Sequence, residues 1–221
     1  MRVAIAGAGA VGRSIARELI ENGHKVLLID KEPSSIRPER VPDAEWLLAD
    51  SCELSSLEEA RLETCDVVIA ATGDDKVNLV TSLLAKTEFA VPRTVGRVNH
   101  PNNEWLFTEA WGVDVNVSTP RIMSALVEEA VTVGDVVRLF TFRQGNANLV
   151  EMTLPADSPY VGKPSGLIPW PENCRLVTIL RDGMVYTPDA EQPIEVGDEL
   201  LFVAAPEAEA ELDQLLNPAR Q

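Results

Sequence analysis

The sequence has few of the side chains on which acid–base and nucleophilic catalysis depend. It contains only two histidines and three cysteines in 221 residues. The cysteines, Cys52, Cys65 and Cys174, are odd in number and widely spaced, so we expect reduced thiols. No grouping of histidine, cysteine and carboxylate has the spacing of a metal site, and no serine lies in a nucleophile-elbow pattern. We therefore predict neither a metal ion nor catalytic residues.

The chain also has few basic residues and no long apolar segment, and both shortages limit which partners and which cellular location we expect. The chain has 19 basic residues against 35 acidic ones, and its net charge of −16 argues against nucleic acid or anionic lipid as a partner. Its apolar runs fall far short of the ~20 residues that span a bilayer, which argues against direct membrane insertion. The N-terminus also lacks the pattern of a secretory signal. We expect a globular cytoplasmic protein.

The first thirty residues carry the strongest motif of the chain. Val3 to Ala6 reads as a buried strand that runs directly into the glycine loop Gly7-Ala-Gly-Ala-Val-Gly12. Apolar residues then recur at helical spacing from Val11 to Ile20, and a second strand, Lys25 to Ile29, ends on Asp30. A strand, a glycine loop, a helix and an acid in this order indicate a dinucleotide-binding unit.

Each residue type in the motif has a mechanical reason. Gly7 permits the tight turn, Gly9 lets the backbone approach a pyrophosphate, and Gly12 lets the helix pack on the sheet. Phosphates are then held at the helix N-terminus, where unpaired N–H groups favour negative charge. Asp30 is placed to accept hydrogen bonds from ribose hydroxyls and to repel a 2′-phosphate. The alternative is a structural glycine turn without a ligand.

The alternation of strands and helices continues and predicts an α/β fold, a doubly wound parallel sheet of the Rossmann-like type. The remaining predicted strands are Glu45–Ala49, Asp66–Ala71, Arg93–Val98 and Asp114–Val117. The predicted helices between them are Leu54–Leu62, Lys76–Lys86 and, approximately, Asn103–Ala110. In such a sheet the ligand crevice lies at the carboxyl ends of the strands.

The loops at those carboxyl ends supply the candidate site. We expect Asp50 and its neighbours to lie beside an adenine, Thr72 and Gly73 to approach the phosphates or a second ribose, and Asn78 to hold that loop. Ordinary turn and helix-cap chemistry is the alternative for residues outside the glycine loop. The candidate nucleotide-binding residues are Gly7, Ala8, Gly9, Ala10, Val11, Gly12, Asp30, Lys31, Asp50, Ser51, Cys52, Ala71, Thr72, Gly73, Asp74, Asn78 and Arg97.

The pattern changes after the sixth predicted strand. A helix is expected from Arg121 to about Val133, and beyond it strands alternate in the antiparallel manner, with a hairpin turn at Arg181-Asp182-Gly183. A terminal helix begins at Pro206. We therefore predict three parts: a nucleotide-binding domain over residues 1–118, a linker helix over 119–134, and a smaller α+β domain over 135–217.

Several of these motifs together resemble a known family, the Trk-type regulators of potassium uptake, whose domains are abbreviated RCK. The resemblance covers nearly the whole chain. In the first domain it rests on the glycine loop, Asp30, Ala49-Asp50, the run Ala70-Ala-Thr-Gly-Asp-Asp-Lys-Val-Asn-Leu79 and Arg97-Val-Asn99. In the second it rests on Ser158-Pro-Tyr-Val-Gly-Lys163, Val177-Thr-Ile-Leu-Arg-Asp-Gly183 and Val196-Gly-Asp-Glu-Leu-Leu-Phe202.

The resemblance implies a non-enzymatic cytoplasmic subunit, peripheral on the inner face of the membrane, that gates a potassium transporter or channel. It implies nucleotide binding, with NAD(H) as first choice and ATP or ADP as the alternative. It also implies a homo-oligomer, a dimer that builds a tetramer or ring, with the helix at 121–133 at a subunit contact or, alternatively, as an intramolecular connector. Some relatives bind a second ligand such as cyclic di-AMP in the C-terminal domain.

Two positions depart from the ATP-preferring relatives. Ala10 stands where such relatives often have an arginine that reaches the γ-phosphate, and Arg121 stands where some have a glutamate that holds a cation. Arg13 and Arg97 are the candidates for phosphate contact. The alternative function is a small NAD-dependent oxidoreductase that uses His100 or Asp74 near the nicotinamide.

Overall fold

The computed structural model describes residues 1–131, 134–142 and 146–217 and divides into two compact units, Met1–Arg121 and Ile122–Gln221. The first unit contains a six-stranded sheet in the order β3-β2-β1-β4-β5-β6, and every neighbouring pair is parallel. This confirms the doubly wound fold. The strands are β1 (Arg2–Ala6), β2 (Lys25–Asp30), β3 (Glu45–Leu48), β4 (Val67–Ala70), β5 (Arg93–Val98) and β6 (Val115–Ser118).

Amphipathic helices cover both faces of this sheet with their apolar sides, as strands buried on both faces require. Alternate residues of β1 point to opposite faces: Ile5 packs with α1, and Ala4 packs with α2 and α3. The helices are α1 (Ala10–Glu21), α2 (Leu54–Glu59) and α3 (Asp75–Thr87). Most predicted boundaries agree with these to within one or two residues.

The helix predicted at Asn103–Ala110 is wrong. The chain there forms two 3₁₀ segments, Pro101–Leu106 and Glu109–Trp111, whose hydrogen bonds join residues three apart. Phe107 lies between them with a non-helical backbone, and its ring is buried against Gly96 of β5. Burial of that aromatic side chain interrupts the helical pattern that the sequence suggests.

The predicted helix Leu54–Leu62 is correct only as far as Glu59. Arg61 has a left-handed backbone with φ of +53°, and a 3₁₀ turn, Leu62–Thr64, follows it. The turn places Leu62 in the core, where it is 1% exposed. A left-handed residue ends an α-helix, so the last predicted turn cannot form.

The second unit contains an antiparallel five-stranded sheet in the order β10-β9-β11-β8-β7 with a helix on one face. This confirms the smaller α+β fold. Asp182 and Gly183 have φ of +51° and +74°, as the predicted tight hairpin turn requires. The elements are α4 (Thr119–Val131), which spans the division between the units, β7 (Val137–Phe142), β8 (Ala147–Thr153), β9 (Cys174–Arg181), β10 (Met184–Tyr186), β11 (Glu199–Ala204) and α5 (Pro206–Leu216).

Helix α4 begins at Thr119, which is the first residue of the predicted linker helix 119–134 and lies two residues before the predicted helical spacing at Arg121. Its predicted end at Val133 lies outside the described residues. In the second unit, the core forms where Val150 and Met152 of β8 and Phe202 of β11 meet Leu212 and Leu216 of α5. All five side chains are fully buried.

Candidate ligand-binding cleft

A cleft of about 570 Å³ opens at the carboxyl ends of the parallel strands in the first unit. Thirteen of the predicted site residues line it, so the structure brings together loops that lie up to ninety residues apart in sequence. These thirteen are Gly7, Gly9, Ala10, Val11, Asp30, Lys31, Asp50, Ser51, Ala71, Thr72, Gly73, Asp74 and Arg97.

Two glycines of the loop are required by the fold itself. Gly7 has φ of +103°, and a Cβ atom there would lie 2.9 Å from the backbone carbon of Ala71. A Cβ on Gly12 would lie 1.8 Å from the carbonyl oxygen of Gly7. Neither position accommodates a side chain, so both glycines serve the close contact of loop, helix and sheet.

Gly9 is different, because no atom lies within 4 Å of the position that its Cβ would take. The residue lines the cleft and is the N-cap of α1, with an extended backbone that any residue can adopt. Packing therefore gives no reason for a glycine here. Space beside the backbone of Gly9 is instead what a pyrophosphate needs.

The N-terminus of α1 also suits an anion. No side chain caps the helix, and its first turn carries no acidic residue. The unpaired N–H groups of the first turn and the helix dipole both favour negative charge at this end. The N-terminus of α1 can therefore bind a phosphate group, since no carboxylate of its own first turn competes for the N–H groups.

Asp30 lies at the end of β2 and is tied to the glycine loop. Its Oδ2 accepts a hydrogen bond of 2.8 Å from the N–H of Ala8, and its Oδ1 accepts one of 2.9 Å from the N–H of Glu32. A carboxylate oxygen has two lone pairs, so each oxygen keeps one for a ribose hydroxyl. Asp30 can therefore shape the loop and contact a ligand at the same time.

Lys31 and Asp50 face each other at the rim of the cleft. Their Nζ and Oδ2 atoms are 3.5 Å apart, and the Lys31 side chain is more than half exposed. An exposed pair of this kind contributes little to stability. Asp50 also accepts a hydrogen bond of 2.9 Å from the N–H of Cys52 within the loop after β3.

Asn78 does not line the cleft but holds the loop that does, as expected. It is fully buried at the first turns of α3. Its Oδ1 accepts hydrogen bonds from the N–H of Thr72 (2.9 Å) and from the Thr72 hydroxyl (2.7 Å). Its Nδ2 donates to the carbonyl oxygens of Thr72 (3.2 Å) and Arg97 (2.8 Å). One amide thus fixes two cleft-lining segments.

Asp75 fixes the neighbouring segment after β5. Its carboxylate is nearly buried and accepts four hydrogen bonds, from the backbone N–H groups of Asn99 and His100 and the side-chain amides of Asn99 and Asn103. Burial by itself raises the pKa of Asp75, but these hydrogen bonds outweigh it and hold the pKa below its ordinary value. The carboxylate is therefore a structural anchor.

Three other predicted site residues are not among those that line the cleft. Ala8 is fully buried and donates its N–H to Asp30, Gly12 lies against Gly7, and Cys52 donates its N–H to Asp50. The Cys52 thiol has a raised pKa, chiefly because it is partly buried and also because Asp50 is close. All three cysteines are free, as predicted.

Five cleft-lining residues were not predicted, namely Ile29, Glu32, Ser35, Ala49 and Val77. Four of them adjoin a predicted site residue in sequence, and that neighbourhood is the only feature of the sequence that could have predicted them. Ser35 ends a 3₁₀ turn, Pro33–Ser35, in a loop whose path nothing in the sequence indicates.

Of the two side chains considered for redox chemistry, Asp74 lines the cleft, and its Oδ1 accepts a hydrogen bond from the N–H of Lys76. His100 is not among the lining residues.

Within the described part of the chain, no cluster of histidine, cysteine and carboxylate side chains could hold a metal ion. Over the same residues no helix has both the length and the apolar character needed to cross a bilayer.

Strand order, glycine loop and terminal Asp30 together define a Rossmann-like domain, and a small antiparallel domain follows it. Comparison with known proteins identifies the family. The TrkA-N domain model matches residues 3–119 and the TrkA-C domain model matches residues 149–217. The chain belongs to the TrkA family of Trk system potassium uptake proteins.

Individual relatives agree with this assignment. The chain is 62% identical over 219 residues to the Trk system potassium uptake protein TrkA of Mycobacterium tuberculosis (strain ATCC 25618 / H37Rv), covering 99% of this chain and 100% of that protein. It is 30% identical to a TrkA homolog of Methanothermobacter thermautotrophicus, over 94% of this chain and 95% of that protein. The solved structure of the GsuK channel bound to NAD matches with a TM-score of 0.69 at 18% identity, over 97% of this chain and 39% of that chain.

Proposed function

We propose that this chain is a cytoplasmic regulatory subunit of a potassium uptake system, peripheral to the membrane, which binds an adenine nucleotide and thereby gates a membrane potassium transporter or channel. The observation that carries the proposal is the cleft at the carboxyl ends of β1, β2, β4 and β5. Open space beside Gly9, an acid-free first turn of α1 and the lone pairs of Asp30 fit a nucleotide diphosphate and its ribose.

NAD(H) is the ligand we favour, with ATP or ADP as the alternative. Glu32 joins Asp30 in the cleft, so two carboxylates oppose the extra charge of a 2′-phosphate. Ala10 offers no cation for a γ-phosphate. Position 121 is an arginine, which forms an ion pair of 2.8 Å with Glu104, and therefore supplies no carboxylate for a metal ion that would accompany ATP. The GsuK channel is named as bound to NAD, and its fold matches this chain.

Regulation by such a ligand requires that it bind two states of an assembly with different affinity. We propose a homo-oligomer, a dimer that builds a tetramer or ring. Support comes from α4, whose apolar side chains Ile122, Met123, Leu126 and Val127 are between 44% and 63% exposed in the single chain. A contiguous apolar surface of this kind favours contact with another protein surface. A second ligand in residues 135–217 stays a prediction.

We propose no enzymatic activity. The curated relatives compared above carry the names of potassium uptake proteins. In the cleft, the carboxylate of Asp74 caps α3, so one of its oxygens already accepts a backbone N–H. A dehydrogenase needs a proton donor beside the nicotinamide, and the described cleft lining contains no histidine to serve as one.

The test is potassium uptake by cells in which the gene for this chain has been deleted. We expect the wild-type chain to restore uptake and Asp30→Ala to fail, because the ligand loses its ribose acceptor. Asp43→Ala removes an exposed carboxylate outside the cleft lining and is the matched control, which should restore uptake. Equal restoration by Asp30→Ala and wild type would contradict nucleotide control. Steady consumption of NADH by the purified protein would favour the oxidoreductase.

A further inference from the structure

One side chain of the cleft reaches directly to the beginning of α4. Arg97, in β5, lines the cleft, and its Nε donates a hydrogen bond of 3.1 Å to the hydroxyl oxygen of Thr119. Thr119 is the first residue of α4, the helix along which the chain passes from the first unit into the second. Arg97 thus connects the cleft lining directly to the first residue of a helix that leaves the domain.

The guanidinium of Arg97 can serve both partners at once. Arginine carries five N–H donors in a planar fork, and the bond to Thr119 uses the one on Nε. The four on the two Nη atoms are left for a second acceptor, and no ion pair of the described residues includes Arg97. Bidentate binding by this fork is the geometry that phosphate oxygens match.

The backbone beneath this side chain is held in place by the network already described. Asn78 donates to the carbonyl oxygen of Arg97 and binds Thr72, another lining residue. The position from which the Arg97 side chain extends is thus set by the fold, while the described hydrogen bonds and ion pairs engage neither of its Nη atoms. A ligand that restrains the guanidinium must also restrain the hydroxyl bonded to its Nε.

We propose that Thr119 is a positioning residue that couples the cleft to α4: a phosphate bound by the Nη atoms of Arg97 fixes the guanidinium, and the guanidinium holds the first turn of α4 through Thr119. This inference rests on the proposed nucleotide binding. The coupling is reciprocal, so a restrained Thr119 also favours ligand binding by the same factor.

Three substitutions test the coupling. Thr119→Val removes the hydroxyl and keeps the side-chain shape, Thr119→Ser keeps the hydroxyl, and Ser118→Ala removes the adjacent buried hydroxyl, which has no hydrogen-bond partner. For each variant, NAD and ADP affinities are measured by calorimetry, and amide hydrogen exchange of a peptide covering residues 117–123 is measured with and without the ligand that binds.

We expect the ligand to slow exchange in this peptide in wild type, Thr119→Ser and Ser118→Ala. In Thr119→Val that protection should be lost and ligand affinity should fall about fivefold, the low end of measured coupling between sites. Ligand binding with unchanged affinity and unchanged protection in Thr119→Val would overturn the inference. If wild type binds none of NAD, NADH, ADP and ATP in the same calorimetric titration, the proposed function itself fails, which is a separate result.

A fourth substitution, Arg97→Lys, tests the same coupling without changing Thr119, in case Thr119→Val disturbs the start of α4. Arg97→Lys keeps a positive charge for the phosphate, but an ammonium on a flexible stem lacks the planar fork that holds two partners in fixed geometry. We expect this variant to bind ligand while losing the protection of residues 117–123. Protection equal to that of wild type would contradict the role given to the guanidinium.

Discussion

Two glycines of the same loop should respond in opposite ways to one added methyl group. In Gly12→Ala the new Cβ would lie 1.8 Å from the carbonyl oxygen of Gly7, a backbone atom that cannot turn away. Either α1 or the loop must then move. Overpacking of this kind costs about 2 kcal/mol or more.

In Gly9→Ala the methyl group enters open space, and the backbone conformation suits alanine. We expect a stability change of only a few tenths of a kcal/mol up to about 1 kcal/mol, the usual cost at an N-cap. The methyl group would, however, occupy the place proposed for a phosphate. Loss of one charge-assisted hydrogen bond of about 1.5–3 kcal/mol raises the Kd at least tenfold.

Thermal unfolding and ligand titration of both variants measure the two effects. Gly12→Ala should lower the Tm by roughly 5 °C or more, while Gly9→Ala should keep a nearly wild-type Tm and lose affinity. Gly23→Ala is unsuitable as a control because its φ of +80° adds strain, whereas Gly73, with open space and no positive φ, is suitable for a stability comparison. A Gly9→Ala protein that binds nucleotide as tightly as wild type would refute the reading of Gly9.

Three further predictions follow from buried polar groups. Asn78→Ala leaves two cleft segments without their shared partner, so we expect a loss of about 3 kcal/mol in urea unfolding and weaker ligand binding; a loss below 1 kcal/mol would be inconsistent with the network. The pKa of Asp75 is lowered in the folded state, so the ionised carboxylate adds to the free energy of unfolding above the ordinary carboxyl pKa. That stabilisation disappears as the pH falls through the folded pKa. Asp75→Asn should therefore be less stable than wild type in urea unfolding at neutral pH, by a difference that shrinks in acid. Asp198 is fully buried and binds Arg181 through both oxygens, so Asp198→Asn should cost about 3 kcal/mol in urea unfolding, since one acceptor is lost; a near-neutral effect would show that the pair is dispensable.

Periodicity was sufficient for most of the fold because strands such as β4 are apolar throughout and the helices α1 and α3 have apolar residues at helical spacing. It failed between β5 and β6, where Leu106 and Ala110, and likewise Phe107 and Trp111, are four residues apart, as apolar residues on one face of a helix are. Tertiary contact decides that segment, because Phe107 enters the core beside Gly96. Such contacts are made by residues distant in the chain and leave no local pattern.

The candidate site was predictable to the extent that strand ends are. Parallel strands place their carboxyl ends at one edge, so Asp30, Asp50, Thr72 and Arg97 were expected to converge. The sequence does not show which way a side chain at a strand end points or which partner it reaches. The orientation of Ser35, the reach of Arg97 to Thr119 and the pairing of Arg121 with Glu104 all depend on loop paths and side-chain rotamers.

The most direct measurement of the central claim is a calorimetric titration of nucleotide-free protein with NAD, NADH, ADP and ATP, with the oligomer mass recorded before and after. We expect saturable binding of at least one of the four, its loss in Asp30→Ala, its retention in Asp43→Ala, and a change in the assembly on binding. If wild type binds none of them, the cleft is a structural feature of the fold and the account of nucleotide control is wrong.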